Sequence, residues 1–495
     1  MAGTGPRHRG SGDRRTGATL GSRRLAAMLA DPAGAKPAFR HLARRIGALV
    51  LDGRLPLHAR LPAERELAAA LGVGRATVTA AYDLLRESGH AYSRQGAGTW
   101  TALPEGRTPR GVARVLGPPD TVIDLARAAP CLPEQVLLDA LAHIAPRLAE
   151  HARTPGYHPY GLPELRAAVA DRFTRRGLAT VPEQILVTSG AQHALSLTLG
   201  LLCGPGDRVL VENPSYPNAL EAIRRAGLRA VPVPVTDSGW DVGIVESSLR
   251  QAAPRLAYLI PDFHNPTGHL MTDGDRVRVL RAAERSGTRL VVDETLTGLA
   301  LDVPAPAPFA THAAPGGGGG IVTIGSMSKT HWGGLRIGWL RAPSSLVTEL
   351  AVQRMADDMG GSVVDQLLAL HLLDRTDELL PPRLEQLRRQ RAALAEALTA
   401  HLPHWTWRLP PGGLSLWADL GEPIAPALAE KAFGRGVRIE SGGCFAAHPG
   451  LFEQRLRIPY TSDPDTLRAA VCRLAAALPD DPPAPSSTRR ARWIA

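Results

Sequence analysis

The hydrophobic pattern divides the 495-residue chain into two unlike parts. Between residues 21 and 102 apolar positions recur at helical spacing. Leu25–Ala30 (LAAMLA) reads as a short amphipathic helix, and Phe39, Leu42, Ile46 and Leu49 form one stripe. After the turn Asp52-Gly53, Pro62 stops one element, and the acids Glu64 and Glu66 favour a helix start. That helix runs to about Leu71 and breaks at Gly72; a second starts near Arg75 and buries Val78, Tyr82 and Leu85. Two short helices around a tight Gly-containing turn predict a helix-turn-helix. The segment Gly89–Trp100 (GHAYSRQGAGTW) that follows reads as a two-stranded wing. From 121 to 478, short β-branched runs alternate with helical patterns, which predicts α/β packing on a mostly parallel sheet. The expected strands are Gln184–Thr188, Arg208–Glu212, Leu256–Ile260, Leu290–Asp293 and Ile321–Ile324. Residues 103–120, rich in Pro, Gly and Arg, read as a linker. Residues 1–20 read as a disordered basic tail, 479–495 as a frayed one, and Pro304–Gly320 as a surface loop.

Composition narrows the class. Apolar residues at 44% and charged residues at 21% exclude disorder, collagen and fibre for the chain as a whole. No apolar run approaches a membrane span. Cys131, Cys203, Cys444 and Cys472 are scattered with no CxxC, so neither a disulfide framework nor a zinc finger is indicated. The apolar stretch after Arg23-Arg24 ends at Asp31, too short for an export signal, so a cytoplasmic address is expected. Of the formal net charge of +10, residues 1–36 carry +5 and residues 37–102 carry +4, leaving +1 for the rest. The basic part is therefore N-terminal. It suits a polyanion, either nucleic acid or an anionic membrane surface, although a solvated arginine-rich surface gives the same count. Only three lysines occur, Lys36, Lys329 and Lys431, which limits where amine chemistry can reside.

In a helix-turn-helix the N-terminal turn of the second helix enters the major groove, which aims Arg75, Thr77 and Thr79 at base edges and phosphates. Arg65 is placed to clamp a backbone phosphate, and the wing tip Arg94-Gln95-Gly96 to reach the minor groove. The run LPAERELAAALGVGRATVTAAYDLLRESG resembles the winged helix-turn-helix of the GntR family of bacterial regulators over about sixty residues. The resemblance implies DNA contact by Arg65, Arg75, Thr77, Thr79, Gln95 and Gly96. Gly74 stands where that family often has Ser or Thr.

In the second part, Gly325-Ser-Met-Ser-Lys329-Thr330 is not a P-loop, because Ser328 occupies the position before lysine that requires glycine. It reads instead as a lysine presented from a hydroxyl-rich turn. A Schiff-base lysine needs an electron sink and phosphate anchors nearby. Ser326, Ser328 and Arg336 can supply charge-assisted bonds to a phosphate. Ser189-Gly190-Ala191-Gln192, between a strand and a helix, can hold one on backbone N–H groups. Tyr216 can stack on a ring, Asn265 in His264-Asn-Pro-Thr-Gly268 can donate to a phenolate oxygen, and Asp293 can pair with a protonated pyridine nitrogen. Taken singly, Asn265 fits a plain turn, Asp293 a helix cap and Arg457 a surface arginine at a strand end. The ordered set resembles the fold-type I aminotransferases that bind pyridoxal 5′-phosphate, over about residues 121–478, with a large sheet domain and a smaller C-terminal α+β subdomain. The resemblance implies that Lys329 forms the Schiff base and Asp293 meets the pyridine nitrogen. It further implies that Asn265 meets the ring oxygen and Tyr216 stacks. Gly190, Ala191, Gln192, Ser326, Ser328 and Arg336 hold the phosphate, and Arg457 binds an α-carboxylate. Many such enzymes have a tyrosine two or three positions after the aspartate; here those positions are Thr295 and Leu296.

A GntR-like winged helix fused through a linker to such a body resembles the MocR-type regulators. This implies a homodimer on a double-stranded operator whose binding responds to pyridoxal phosphate or to an amino compound. Two alternatives stay open: a working aminotransferase with an accessory DNA-binding domain, and a DNA-binding protein whose large domain is empty.

Overall fold

The computed structural model describes residues 20–29, 38–51, 55, 59–94, 98–102, 121–314 and 320–478. The tail up to residue 19, Lys36, Gln95 and Gly96, the expected linker 103–120 and the tail from 479 lie outside the described residues. The chain divides into two compact units, one ending at Pro119 and the other beginning at Asp120.

The first unit holds α1 (Ser22–Met28), α2 (Ala38–Leu51), α3 (Glu64–Leu71), α4 (Arg75–Glu87), β1 (Ala91–Arg94) and β2 (Gly98–Thr101). Its core joins Leu25, Leu42, Ile46 and Leu49 to Leu67, Val78, Tyr82 and Leu85, while Phe39 packs at the edge. Helix α3 ends because Gly72 adopts the left-handed conformation at φ 67°, which suits a residue without Cβ. The helix-turn-helix is thus formed by α3 and α4. Strands β1 and β2 pair antiparallel, Ala91 opposite Thr101 and Arg94 opposite Gly98, and make the wing.

In the second unit the strands are β3 (Ile123–Leu125), β4 (Ile185–Thr188), β5 (Arg208–Asn213), β6 (Arg229–Thr236), β7 (Gly239–Trp240), β8 (Leu256–Leu259), β9 (Arg289–Asp293), β10 (Ile321–Ser326), β11 (Gly338–Arg341), β12 (Thr406–Trp407), β13 (Ser415–Asp419), β14 (Val437–Ser441) and β15 (Arg455–Pro459). The large sheet has the order β4-β11-β10-β9-β8-β5-β6-β7. Its centre, β10-β9-β8-β5-β6, is parallel. Central strands such as Leu256–Leu259 are buried at every position, as expected of a sheet covered on both faces. β11 runs antiparallel to both β10 and β4, so β4 shares the direction of the parallel set. The second sheet, β12-β13-β15-β14-β3, closes with β3, which comes from the start of the unit and lies at the edge against β14.

The segment expected as a surface loop departs from that reading. Phe309–His312 forms a short 3₁₀ turn with Phe309 and Ala310 buried. The Phe309 ring joins the core beside Val279 and Leu290, and its N–H donates to Glu294 at 2.7 Å. An apolar ring with a satisfied backbone sinks even within a Pro-rich stretch.

Candidate cofactor site and helix-turn-helix surface

Strands β4, β5, β8, β9 and β10 all end on the same side of the large sheet. Each carries one of the expected groups just at or beyond its C-terminal end, where open α/β sheets place ligands. Together with the second sheet they enclose a cavity of about 320 Å³, lined by Ala191, Gln192, Tyr216, Asn265, Asp293, Ser326, Ser328, Lys329, Arg336 and Arg457.

The turn after β4 puts Gly190 at φ 89°, and a Cβ there would come within 2.8 Å of the Arg336 guanidinium. That guanidinium donates to the Ser189 carbonyl at 2.8 Å. The helix Ala191–Leu202 begins here; the N–H groups of His193 and Ala194 donate to the Gly190 carbonyl, which leaves those of Ala191 and Gln192 without an acceptor in the helix's own turns. Ser326 Oγ lies 2.8 Å from Ser328 Oγ and 3.1 Å from the Ile337 carbonyl. Backbone donors, two hydroxyls and a guanidinium thus converge on one cradle suited to a phosphate. Tyr216 precedes the helix Pro217–Arg225 and accepts from Asn218 at 2.9 Å; burial raises its pKa above the usual phenol range.

Asp293 closes β9. It accepts from Tyr258 Oη at 2.7 Å and from the Thr295 N–H at 3.0 Å. Burial raises its pKa, and these donors pull it back towards the ionised form. Tyr258 is a functional neighbour that sequence reasoning missed. Its one visible signal is a polar tip in the otherwise aliphatic strand Leu256-Ala-Tyr-Leu259. Asn265 lines the cavity, and its side-chain oxygen is buried without a hydrogen-bond partner among the described residues.

Lys329 lies in a π-helical turn, Ser328–Trp332, and its Nζ donates to the Ala128 carbonyl at 2.7 Å. Burial first, then the positive charges of Arg457 and Arg336, lower its pKa to about 8, although Asp293 opposes this. Arg457 sits within β15 and is buried, not a surface arginine at a strand end. It donates to the Ala126 carbonyl and lies 4.9 Å above the Phe445 ring. A phosphate cradle, a carboxylate for a pyridine nitrogen, an unpartnered amide and a lysine of lowered pKa fit pyridoxal 5′-phosphate.

On the first unit, Arg65 and Arg75 are exposed, whereas Thr77 and Thr79 are half-buried. The Thr79 hydroxyl donates to Glu64 at 2.8 Å, and Arg75 lies 3.5 Å from the same carboxylate. Glu64 therefore ties the start of α3 to the first turn of α4, and Thr79 serves that joint. Arg86 reaches from α4 to Thr99 on the wing at 3.0 Å. Arg94 is placed through its backbone in β1.

Residues 120–474 match the family model for aminotransferase class I and II. The chain belongs to that family. Residues 39–100 match the model for bacterial regulatory proteins of the gntR family. This family member is thus a GntR-type DNA-binding regulator fused to an aminotransferase-like domain of the pyridoxal-phosphate kind. It is 29% identical over 467 residues to the HTH-type transcriptional regulator TauR of Rhodobacter capsulatus, covering 87% of this chain and 94% of that one. It is 32% identical over 335 residues to the probable rhizopine catabolism regulatory protein MocR of Rhizobium meliloti, covering 63% of this chain and 66% of that one. Among solved structures, the α-aminoadipate aminotransferase LysN of Thermus thermophilus, complexed with N-(5′-phosphopyridoxyl)-L-leucine, superposes with a TM-score of 0.68 at 29% identity. That match covers 75% of this chain and 96% of LysN. No described helix is long and apolar enough to cross a membrane.

Proposed function

We propose that this protein is a cytoplasmic transcription regulator whose aminotransferase-like domain holds pyridoxal 5′-phosphate as a sensor, so that occupancy of the site changes operator binding. The supporting observation is the convergence of Lys329, Asp293, Arg336 and Arg457 on one cavity, in a chain that also carries a gntR-type DNA-binding domain. The cofactor supplies an aldehyde for a Schiff base and a ring that accepts electrons. Lys329 is the amine, Asp293 keeps the ring nitrogen protonated, Asn265 faces the ring oxygen and Tyr216 covers the ring. Gly190, Ala191, Gln192, Ser326, Ser328 and Arg336 hold the phosphate. Arg457 takes the carboxylate of an amino-compound effector in a bidentate pair. Residues 21–102 act as the DNA-binding domain, 103–120 as linker and 121–478 as the sensor.

Because the Lys329 amine has a pKa of about 8, its reactive, uncharged fraction rises as pH increases through that value. The fraction is roughly a tenth at pH 7 and nearly complete at pH 9, whereas an ordinary lysine would still be climbing steeply. The rate at which the visible cofactor band appears in stopped-flow absorbance is therefore expected to rise about tenfold from pH 7 to pH 9 and then level off. A rise of about a hundredfold with no plateau would reject a perturbed lysine.

Arg65, Arg75, Thr77, Thr79, Arg94, Gln95 and Gly96 form the DNA surface in this reading. Arg75→Ala is expected to weaken specific operator binding by about 1–3 kcal/mol in a gel shift, and unchanged affinity would reject its assignment. The large domain forms a homodimer. Exposed Leu138 and Leu141, one turn apart on the helix Glu134–His151, together with exposed Tyr157, Val352, Met355 and Met359, supply apolar surface for it. Two copies would then present two recognition helices to a repeated or palindromic site.

A second reading, an active aminotransferase, is favoured by the retention of Arg457 beside Lys329 in one cavity. Assays with amino acids and keto acids separate the two. Brisk multiple turnover without sequence-specific DNA binding would favour the enzyme.

A further inference from the structure

Two of the three cations to which the proposed function assigns ligand chemistry, Lys329 and Arg457, are held by the same short stretch of backbone. Lys329 Nζ donates to the Ala128 carbonyl and Arg457 donates to the Ala126 carbonyl. Another cation, Arg383, donates to the Cys131 carbonyl at 2.6 Å. The segment Ala126–Cys131 is thus tied down by three side-chain cations acting on its carbonyl oxygens. Just before it lies β3, three residues long, at the edge of its sheet and paired through Ile123–Leu125 with β14 alone. In sequence β3 is preceded by Thr121 and Val122 and, before them, by residues 103–120, which lie outside the described residues.

We propose that this segment is a strap through which occupancy of the site is passed to the DNA-binding domain, an inference that rests on the cofactor reading above. The donors serving the two carbonyls are the ones a ligand must take. When Nζ condenses with an aldehyde, a C=N bond replaces the C=O bond. The aldehyde oxygen leaves as water with two hydrogens from the neutral amine, so the neutral imine nitrogen has no hydrogen left for Ala128. A carboxylate that engages Arg457 in a bidentate pair competes in the same way for the N–H that serves Ala126. Either event leaves a carbonyl of the strap without its charged donor. A short edge strand has few other bonds to hold the strap in place, so the backbone there gains freedom. That change is delivered to the residues immediately preceding β3.

The test uses the full-length protein with pyridoxal 5′-phosphate alone as probe, followed by hydrogen exchange of peptides spanning residues 121–133. Cofactor binding, seen independently as a visible absorbance band, is expected to speed exchange in this segment about tenfold. Lys329→Ala should exchange fast from the start and show no further change. Lys329→Arg retains a donor but cannot condense, and should stay slow with the cofactor present. Inserting a flexible Gly-Ser stretch between Pro119 and Asp120 should leave absorbance and exchange as in the parent. It should abolish the cofactor's effect on affinity for a duplex selected by the parent protein from random DNA. A visible band with unchanged exchange at 121–133 overturns the strap while leaving the cofactor site standing. Full retention of the DNA response in the insertion variant overturns the route. Absence of any band in the parent removes the cofactor reading itself, and the strap with it.

Discussion

Lys329→Ala is expected to remove covalent cofactor binding altogether. In the parent protein, borohydride reduction should fix pyridoxal phosphate on the peptide that contains Lys329; in the variant no labelled peptide and no visible Schiff-base band should appear. The argument is one of position. Among the described lysines, Lys431 is exposed on the helix Ala425–Gly434, and Lys329 alone lines the cavity that also holds Asp293 and Arg336. An arginine cannot substitute, since a guanidinium stays protonated and does not act as an imine-forming amine. The phosphate cradle survives the substitution, so weak non-covalent binding should remain and be displaced by inorganic phosphate. Lys431→Ala is the matched control and should bind as the parent does. If the cofactor acts as sensor, the alanine variant should also bind its operator equally with and without pyridoxal phosphate. Labelling at another lysine would overturn the assignment of the site.

Most of the site was legible because its groups follow strands that announce themselves. Arg208–Asn213, Leu256–Leu259, Arg289–Asp293 and Ile321–Ser326 are short, largely apolar runs, and their ends place Tyr216, Asn265, Asp293 and Lys329 together. β11 was not legible. Gly338-Trp-Leu-Arg341 contains no β-branched residue, and Gly338 is explained only in three dimensions. A Cβ there would lie 2.6 Å from the Gly190 carbonyl carbon, so the phosphate turn and β11 pack backbone to backbone. β3 was hidden for a related reason: three residues carry no periodicity, and its partner β14 lies far along the chain. Tyr258 meets Asp293 across neighbouring strands, a relation that depends on register rather than spacing. Carbonyl acceptors such as those of Ala126 and Ala128 leave no trace in residue identity at all.

Arg276→Met is expected to destabilise the large unit by about 3–5 kcal/mol, because it strands a buried carboxylate. Arg276 and Asp262 are both fully buried, and their N···O distance is 2.6 Å. The same guanidinium donates to the Met271 carbonyl at 3.1 Å and lies 5.7 Å from the Phe309 ring, while Thr297 donates to the other Asp262 oxygen. These groups brace both ends of the turn Asp262–Met271, within which Asn265 faces the cavity. Methionine fills much of the arginine's volume, so the loss is chiefly electrostatic. In the variant, Asp262 keeps one neutral hydroxyl partner for a charge that the guanidinium no longer meets. Denaturant midpoints should accordingly show a large deficit. A deficit that persists unchanged when Asp262 is also neutralised would point to lost packing instead. Adding Asp262→Asn should recover a substantial part of the loss, since it removes the stranded charge, and pyridoxal phosphate binding should recover with it.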